Sequence, residues 1–501
     1  MSLPPFADIL NFVASFSHFM TSSPLLLSAR EIAALIRRNA VSPVEVARTH
    51  LDRIERLNPK LNAFVDYKPE AVLAQARDAE KAVLRGDDLG PLHGVPVSIK
   101  SSIDVAGHRC EAGTRLRAGH IAAEDAPLVA RLRAAGAVIL GVTNTPELLM
   151  AWETDNLLYG RTNNPWDLTR TAGGSSGGEA AAIAAGLSAG GVGSDGGGSI
   201  RVPAHFCGMC GLKPTPGRIP STGHFPKSGG PFALLGVVGP MARTVKDLRT
   251  LFAVMAGWDD GDPCSAPVDI RLDARALDAA VLRTINVGFF EDDGRTPVTR
   301  ETRSAVNRAA SLLSSSGLHV DPFRPEGLEE ARQLWWEFFG TVGGMILRPM
   351  ILESTLRSHE SELSPILREF LGWINAEPAH TGESLLAAWL GRDAVRERIL
   401  LQMRKYPVLI CPSAAIPAFR HGEREWQVEA KTVKYLDAWS YCEWFNLLGV
   451  PAAVVPMGYS EEGLPIGVQI VGRPWQEEVV LTVAAKLEKE RGPWQAPPLL
   501  D

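Results

Sequence analysis

Serines set among glycines carry the strongest chemical signal in this 501-residue chain. Gly173-Gly174-Ser175-Ser176-Gly177-Gly178-Glu179 places two adjacent serines before a stretch rich in Ala, Ile and Leu that ends at Leu187. Further on, Ser194-Asp195-Gly196-Gly197-Gly198-Ser199-Ile200-Arg201 sets a serine directly after three glycines. Consecutive glycines let backbone N–H groups turn inward around an anion, because no Cβ blocks the approach. A serine ending such a turn has the makings of a nucleophile beside its own oxyanion hole, provided a base stands next to it.

Three motifs compete for this region. Gly191-Val192-Gly193-Ser194-Asp195-Gly196 satisfies G-x-G-x-x-G, the dinucleotide fingerprint, which also needs a helix at the third glycine and an acidic residue about 20 positions later. No Asp or Glu occurs between Gly196 and Lys246, and Pro203 soon follows, so that reading fails. Gly173 to Gly177 contains G-x-S-x-G with Ser175 central, the nucleophile elbow of serine esterases, which must sit between a buried strand and a helix. A helix does follow, but Asn163 to Arg170 reads as a polar loop. In the third reading Ser176 and Glu179 form a capping box for that helix, leaving Ser175 to point elsewhere.

The elements that must hold these residues alternate along the chain. Ser28 to Glu31 is a capping box before Ile32, Leu35 and Ile36, and Ser42-Pro43 opens a second helix expected to stop near Asn58-Pro59. Val95 to Lys100 and Ala137 to Val142 read as strands, with a helix at Leu128 to Ala135 between them. Past Asp259 the pattern turns helical, with Trp335, Trp336 and Trp373. Apolar strands return at Val408 to Cys411, Ala452 to Pro456 and Gly467 to Gly472. Strands and helices alternating throughout argue for α/β layers rather than separate modules.

Composition narrows the function classes. Charged residues make up 22% and the net charge is −6 without any basic run, which speaks against a nucleic-acid partner. The scattered cysteines suit reduced thiols in a cytoplasmic protein, and Cys207 and Cys210 form a lone C-x-x-C without a second ligand pair for zinc. Residues Phe6 to Met20 are apolar but interrupted by Asp8, Asn11 and His18. That stretch is too short and polar to span a membrane, so no stable insertion is expected and residues 1–25 read as an apolar extension.

As a set, Gly173 to Glu179, Gly193 to Pro203 and Cys207 to Pro214 resemble the amidase signature family. Leu92-His-Gly-Val-Pro-Val-Ser-Ile-Lys100 is similar to the family's lysine segment, and Thr143 to Pro146 to its next strand end. Phe445 to Pro451 and Gly463 to Gln469 resemble its C-terminal segments, so the likeness runs from about residue 26 to the end. The resemblance implies one large α/β domain over 26–501, with a mixed twisted sheet covered by helices on both faces. It implies catalysis without a cofactor or metal, through Ser199 as nucleophile, Ser175 as relay behind a cis Gly174–Ser175 bond, and Lys100 as base. Gly196, Gly197 and Gly198, with Ser199, would supply the oxyanion hole, and Leu149, Met150 and Trp152 the substrate-binding wall.

Two positions depart from the common family pattern. Ser101 follows the lysine where many members carry Asp, and Gly196 stands where many carry a β-branched residue. The expected reaction is hydrolysis of small amides with apolar or aromatic groups, and of esters or carbamates of similar shape. Asp195 and Arg201 either brace the turn or are unrelated charges, and His205 reads as a core histidine rather than a base. The alternatives are a glutaminase-type subunit of a tRNA-dependent amidotransferase, a serine esterase using Ser175, and a non-catalytic binding homologue. A homodimer stays open as an assembly.

Overall fold

Period-two alternation builds the strand that matters most. In Pro96–Lys100, Val97 and Ile99 face one side of a sheet and pack with Leu128, Val129 and Leu132, which leaves Ser98 and Lys100 on the opposite side. Every residue of this strand is buried, because parallel neighbours flank it on both edges. The computed structural model describes residues 26–227, 229–269, 282–353, 362–378 and 380–498. The expectations for Phe6 to Met20 and for the extension at 1–25 fall outside the described residues.

Eleven strands form one mixed sheet. In chain order they are β1 (Phe64–Tyr67), β2 (Pro96–Lys100), β3 (Val138–Thr143), β4 (Gly190–Asp195), β5 (Cys210–Lys213) and β6 (Val237–Ala242), followed by β7 (Asn286–Phe289), β8 (His319–Pro322), β9 (Val408–Pro412), β10 (Ala452–Tyr459) and β11 (Pro465–Val471). Their spatial order is β1-β3-β2-β4-β6-β5-β10-β11-β9-β7-β8. The β3-β2-β4 trio is parallel, the middle of the sheet is antiparallel, and β9-β7-β8 is parallel again.

Helices cover both faces. Pro127–Ala134, Val245–Met255, Arg300–Ser315 and Glu477–Arg491 contribute to one apolar layer with Val97, Ile99 and Ile139. Pro43–Leu61 and Gly177–Ala184 pack with Val138 and Leu140 on the other face. Beside them the helices of 328–402 and Ser440–Leu447 build a second aromatic-rich core on that face.

Several sequence expectations are met and three change. The capping box at Ser28 forms, as does the Ser42 cap with Pro43 at the first helical turn. That second helix runs through Pro59 to Leu61, because Asn62 can take the left-handed cap conformation and Asn58 Oδ1 accepts from Ala63 and Phe64 N–H. The glycine-rich stretch, where the sequence marks no strand, contains β4, the strand that pairs with β2 on one edge and β6 on the other. Asn163 to Arg170, expected as loop, forms part of a small two-stranded piece outside the main sheet. The residues before Ser175 therefore do not form the buried sheet strand that a nucleophile elbow needs.

Candidate active site

Lys100 ends β2 on the face that Ser98 shares, fully buried and surrounded by hydroxyls. Its Nζ lies 2.6 Å from Ser175 Oγ, 3.0 Å from Ser194 Oγ and 3.1 Å from Ser176 Oγ. Burial lowers its pKa to about 7, against the opposing pull of Asp195 and Glu179. A neutral amine has two protons to give and one lone pair to fill. Ser176 Oγ already donates to the Ser194 carbonyl at 3.2 Å, so its proton is committed. Ser175, the nearest hydroxyl, can fill the lone pair.

The Ser176 capping box does not form. Ser176 is the N-cap residue of Gly177–Ala184, yet its side chain makes no cap bond, because the lysine and the Ser194 backbone claim it. Glu179, the expected reciprocal partner, instead accepts from Ser98 Oγ at 2.5 Å and Thr143 Oγ1 at 2.7 Å. Burial lifts Glu179 to about 8, against these hydrogen bonds and the Lys100 charge. The Gly174–Ser175 bond is cis, and Thr145 Oγ1 donates to the Ser175 carbonyl at 2.8 Å.

The turn from Asp195 to Ser199 is held from every side. Burial alone would raise the Asp195 carboxyl, but the Arg201 guanidinium outweighs it and holds the group well below the usual carboxylate range. Arg201 Nη2 sits 2.9 Å from Oδ1 and Nε 3.0 Å from Oδ2, with both side chains fully buried. The same carboxylate accepts from Gly198 N–H at 2.8 Å and Ile200 N–H at 3.0 Å. Arg201 also donates to the Cys442 carbonyl, to Gln469 Oε1 and to Asn446 Oδ1. The two charges left open as a brace or as unrelated are thus a paired brace. Gly198 has φ +115°, a conformation side chains rarely adopt, so the turn needs glycine there.

Gly198 departs from the expected oxyanion set, since its N–H is already taken by Asp195. Among the described residues the N–H groups of Gly196, Gly197 and Ser199 have no acceptor. Ser175, Ser194, Ser199 and Gly196 line one cavity. Leu149 and Met150 line it, together with Phe232, Val238, Phe339, Ile346 and Leu347. Trp152 does not. Its ring is buried beneath the turn, stacked on Trp439, with Nε1 donating to the Gly197 carbonyl at 2.9 Å.

His205 is a core residue, its Nδ1 accepting from Gly467 N–H at 2.8 Å and its Nε2 donating to the Ile416 carbonyl at 3.1 Å. Burial pulls it down to about 4. Cys207 and Cys210 are buried free thiols on opposite sides of the bend into β5. Sequence reading missed Ser194, Glu179 and Trp335. Ser194 and Glu179 had a signal, because each lies inside a motif already singled out, whereas Trp335 sits in a helical stretch with no motif. Among the described residues no helix is long and apolar enough to cross a membrane.

Comparison with known proteins bears on this geometry. The family model described as Amidase matches residues 45–481. An acylamidase of Rhodococcus erythropolis is 35% identical over 477 residues, covering 93% of this chain and 96% of the relative. The human fatty-acid amide hydrolase 2 is 32% identical over 510 residues, covering 95% of this chain and 91% of the relative. The crystal structure of a bacterial aryl acylamidase of the amidase signature enzymes superposes with a TM-score of 0.83 at 28% identity, covering 93% and 96%.

Proposed function

Because this chain belongs to the amidase signature family and is a hydrolase of carbon–nitrogen amide bonds, we propose that it cleaves amides of apolar or aromatic substrates through an acyl-enzyme on Ser199. The observation that carries this reading is Lys100 Nζ at 2.6 Å from Ser175 Oγ, with Ser175 and Ser199 lining the same cavity. Ser199 Oγ attacks the carbonyl carbon while its proton passes to Ser175 Oγ, and the Ser175 proton passes to neutral Lys100. The developing oxyanion takes the N–H groups of Gly196, Gly197 and Ser199, the three in the turn left without acceptors. Collapse breaks the C–N bond, and the proton returns along the same path to the leaving nitrogen. Water then attacks the acyl carbon, giving its proton through Ser175 to Lys100; the C–O bond to Ser199 breaks, and that proton returns along the path to Ser199 Oγ as the acid leaves.

The apolar wall of Leu149, Met150, Phe232, Phe339, Ile346 and Leu347 supports a substrate with an aliphatic or aromatic group near the scissile bond. Esters and carbamates of the same shape fit the same chemistry. Glutamine, with charged groups on its α-carbon, has little to gain from such a wall, which favours a free-standing amidase over a glutaminase working within an amidotransferase. Residues 26–501 form the catalytic domain in this reading.

Labelling with a fluorophosphonate followed by peptide mapping tests it. Modification at Ser199 is expected, lost in Ser199→Ala. Modification at Ser175 or Ser176 would sink the assignment, and ammonia release from glutamine at a rate above that from aryl amides would restore the amidotransferase reading.

A further inference from the structure

In a trans peptide unit the C=O of one residue and the N–H of the next point in opposite directions. Whatever holds a carbonyl of the turn therefore aims the following N–H. The Asp195 carbonyl accepts from Asn446 Nδ2 at 3.1 Å, which turns the Gly196 N–H away from Asn446. The Gly196 carbonyl accepts from Trp335 Nε1 at 2.8 Å, which turns the Gly197 N–H away from that indole. The Gly197 carbonyl accepts from Trp152 Nε1 at 2.9 Å, opposite the Gly198 N–H that binds Asp195. The Gly198 carbonyl accepts from Val202 N–H at 2.7 Å, which frees the Ser199 N–H.

We propose that Trp335 and Trp152 are positioning residues for catalysis, a pair of indole donors that set the peptide planes of the oxyanion turn. They touch neither the triad nor the reacting atoms. Their grip is close: a Cβ on Gly197 would lie 2.4 Å from Trp335 Cζ2, so the ring rests against the glycine backbone itself. Both rings are almost fully buried, their centroids are 6.2 Å apart, and Trp335 stacks on Phe339 at 4.6 Å. The pair also bridges two parts of the fold. Trp152 follows β3, whereas Trp335 belongs to the helix Leu328–Trp336 of the cover that forms the substrate wall. Through Trp335 the element that binds the substrate also fixes the N–H group that meets its oxyanion.

This inference rests on Ser199 as the nucleophile, and the test keeps the two apart. Trp335→Phe and Trp152→Phe keep one aromatic ring but remove the indole N–H together with part of the ring volume, while Phe339→Leu removes packing volume beside Trp335 and leaves both donors. Steady-state kinetics on an aryl anilide, inhibition by a trifluoromethyl ketone and the melting temperature are read for each. Loss of a whole oxyanion donor costs about 10²–10³ in rate, so loss of its hold should cost roughly tenfold in kcat. We expect that loss in Trp335→Phe with KM little changed, with ketone affinity weakened in proportion to kcat/KM, and with a fall in melting temperature comparable to that of Phe339→Leu, which removes volume alone. Phe339→Leu should instead move KM. Unchanged kcat in both folded tryptophan variants, or a loss confined to KM, overturns the proposal. Should Trp335→Phe fail to fold, Trp152→Phe decides alone by the same criteria, because the plane it holds ties the Gly198 N–H to Asp195 and so fixes the turn that presents the Gly197 and Ser199 N–H groups. Wild-type protein whose label maps away from Ser199 removes the nucleophile assignment and the inference with it, whereas labelling at Ser199 with unaltered tryptophan variants removes the inference only.

Discussion

The two regions that meet at the cavity are built on opposite principles. Residues from β2 to β6 hold the polar groups in a network where almost every donor and acceptor is assigned: Lys100 among three hydroxyls, Asp195 on Arg201 and two backbone N–H groups, Glu179 between Ser98 and Thr143. The helical cover from 328 to 402 supplies apolar contact instead, through Phe339, Ile346 and Leu347. Its central piece, Glu337–Val342, is a π-helical turn that brings Phe338 and Phe339 into the aromatic core. A buried polar network tolerates little change, because each unpaired group costs free energy, whereas an apolar wall can trade volume. The first region should thus decide whether the reaction proceeds, and the second which amide it accepts.

That contrast can be broken from either side. Ser199→Ala should have the largest effect, abolishing covalent labelling and cutting turnover by about 10⁴-fold or more, since triad members act as a unit. Arg201→Ala should come next, through the fold. Removing one partner of a buried pair costs about 3–5 kcal/mol, and both side chains here are fully enclosed. Chemical denaturation should show that loss, and an unchanged midpoint would mean the turn stands without its brace. Phe339→Ala should be the mildest, shifting preference toward bulkier acyl or aryl groups by about tenfold in kcat/KM while leaving the pH dependence in place. A changed pH dependence in that variant would erase the division between the two regions.

How much of this was legible follows the same division. Glycine and serine spacing marked the turn that ends at Ser199, whereas Lys100 and the relay role of Ser175 came only with the family resemblance, because a strand-end lysine reads the same in sequence whether it is buried or solvated. Ser176 and Glu179 were visible too, but a capping box and a site network use the same residue types at the same spacing, and the choice was made by Lys100, which lies far off in sequence. Leu149 and Met150 line the cavity, whereas Trp152, two residues on from Met150, meets the Gly197 carbonyl of the turn instead. Trp335 could not be found from sequence, since its role depends on packing between distant segments. β4 escaped because its glycines lack the branched side chains that mark a strand, while its neighbours β2 and β6 supply the pairing.

The proton path is the centre of the account, and a pH–rate profile tests it most directly. Burial lowers Lys100 to about 7, so the neutral amine that can accept a proton grows as pH rises through that value. On one chromogenic anilide, wild type should therefore gain activity along a limb centred near pH 7. Lys100→Ala should lose that limb and recover only at high pH, where hydroxide replaces the base. Ser175→Ala should fall less than Ser199→Ala, and the Lys100→Ala, Ser175→Ala double variant should be little worse than the more damaging single one. A limb that persists in Lys100→Ala, or losses that multiply in the double variant, would contradict a single path from Ser199 through Ser175 to Lys100.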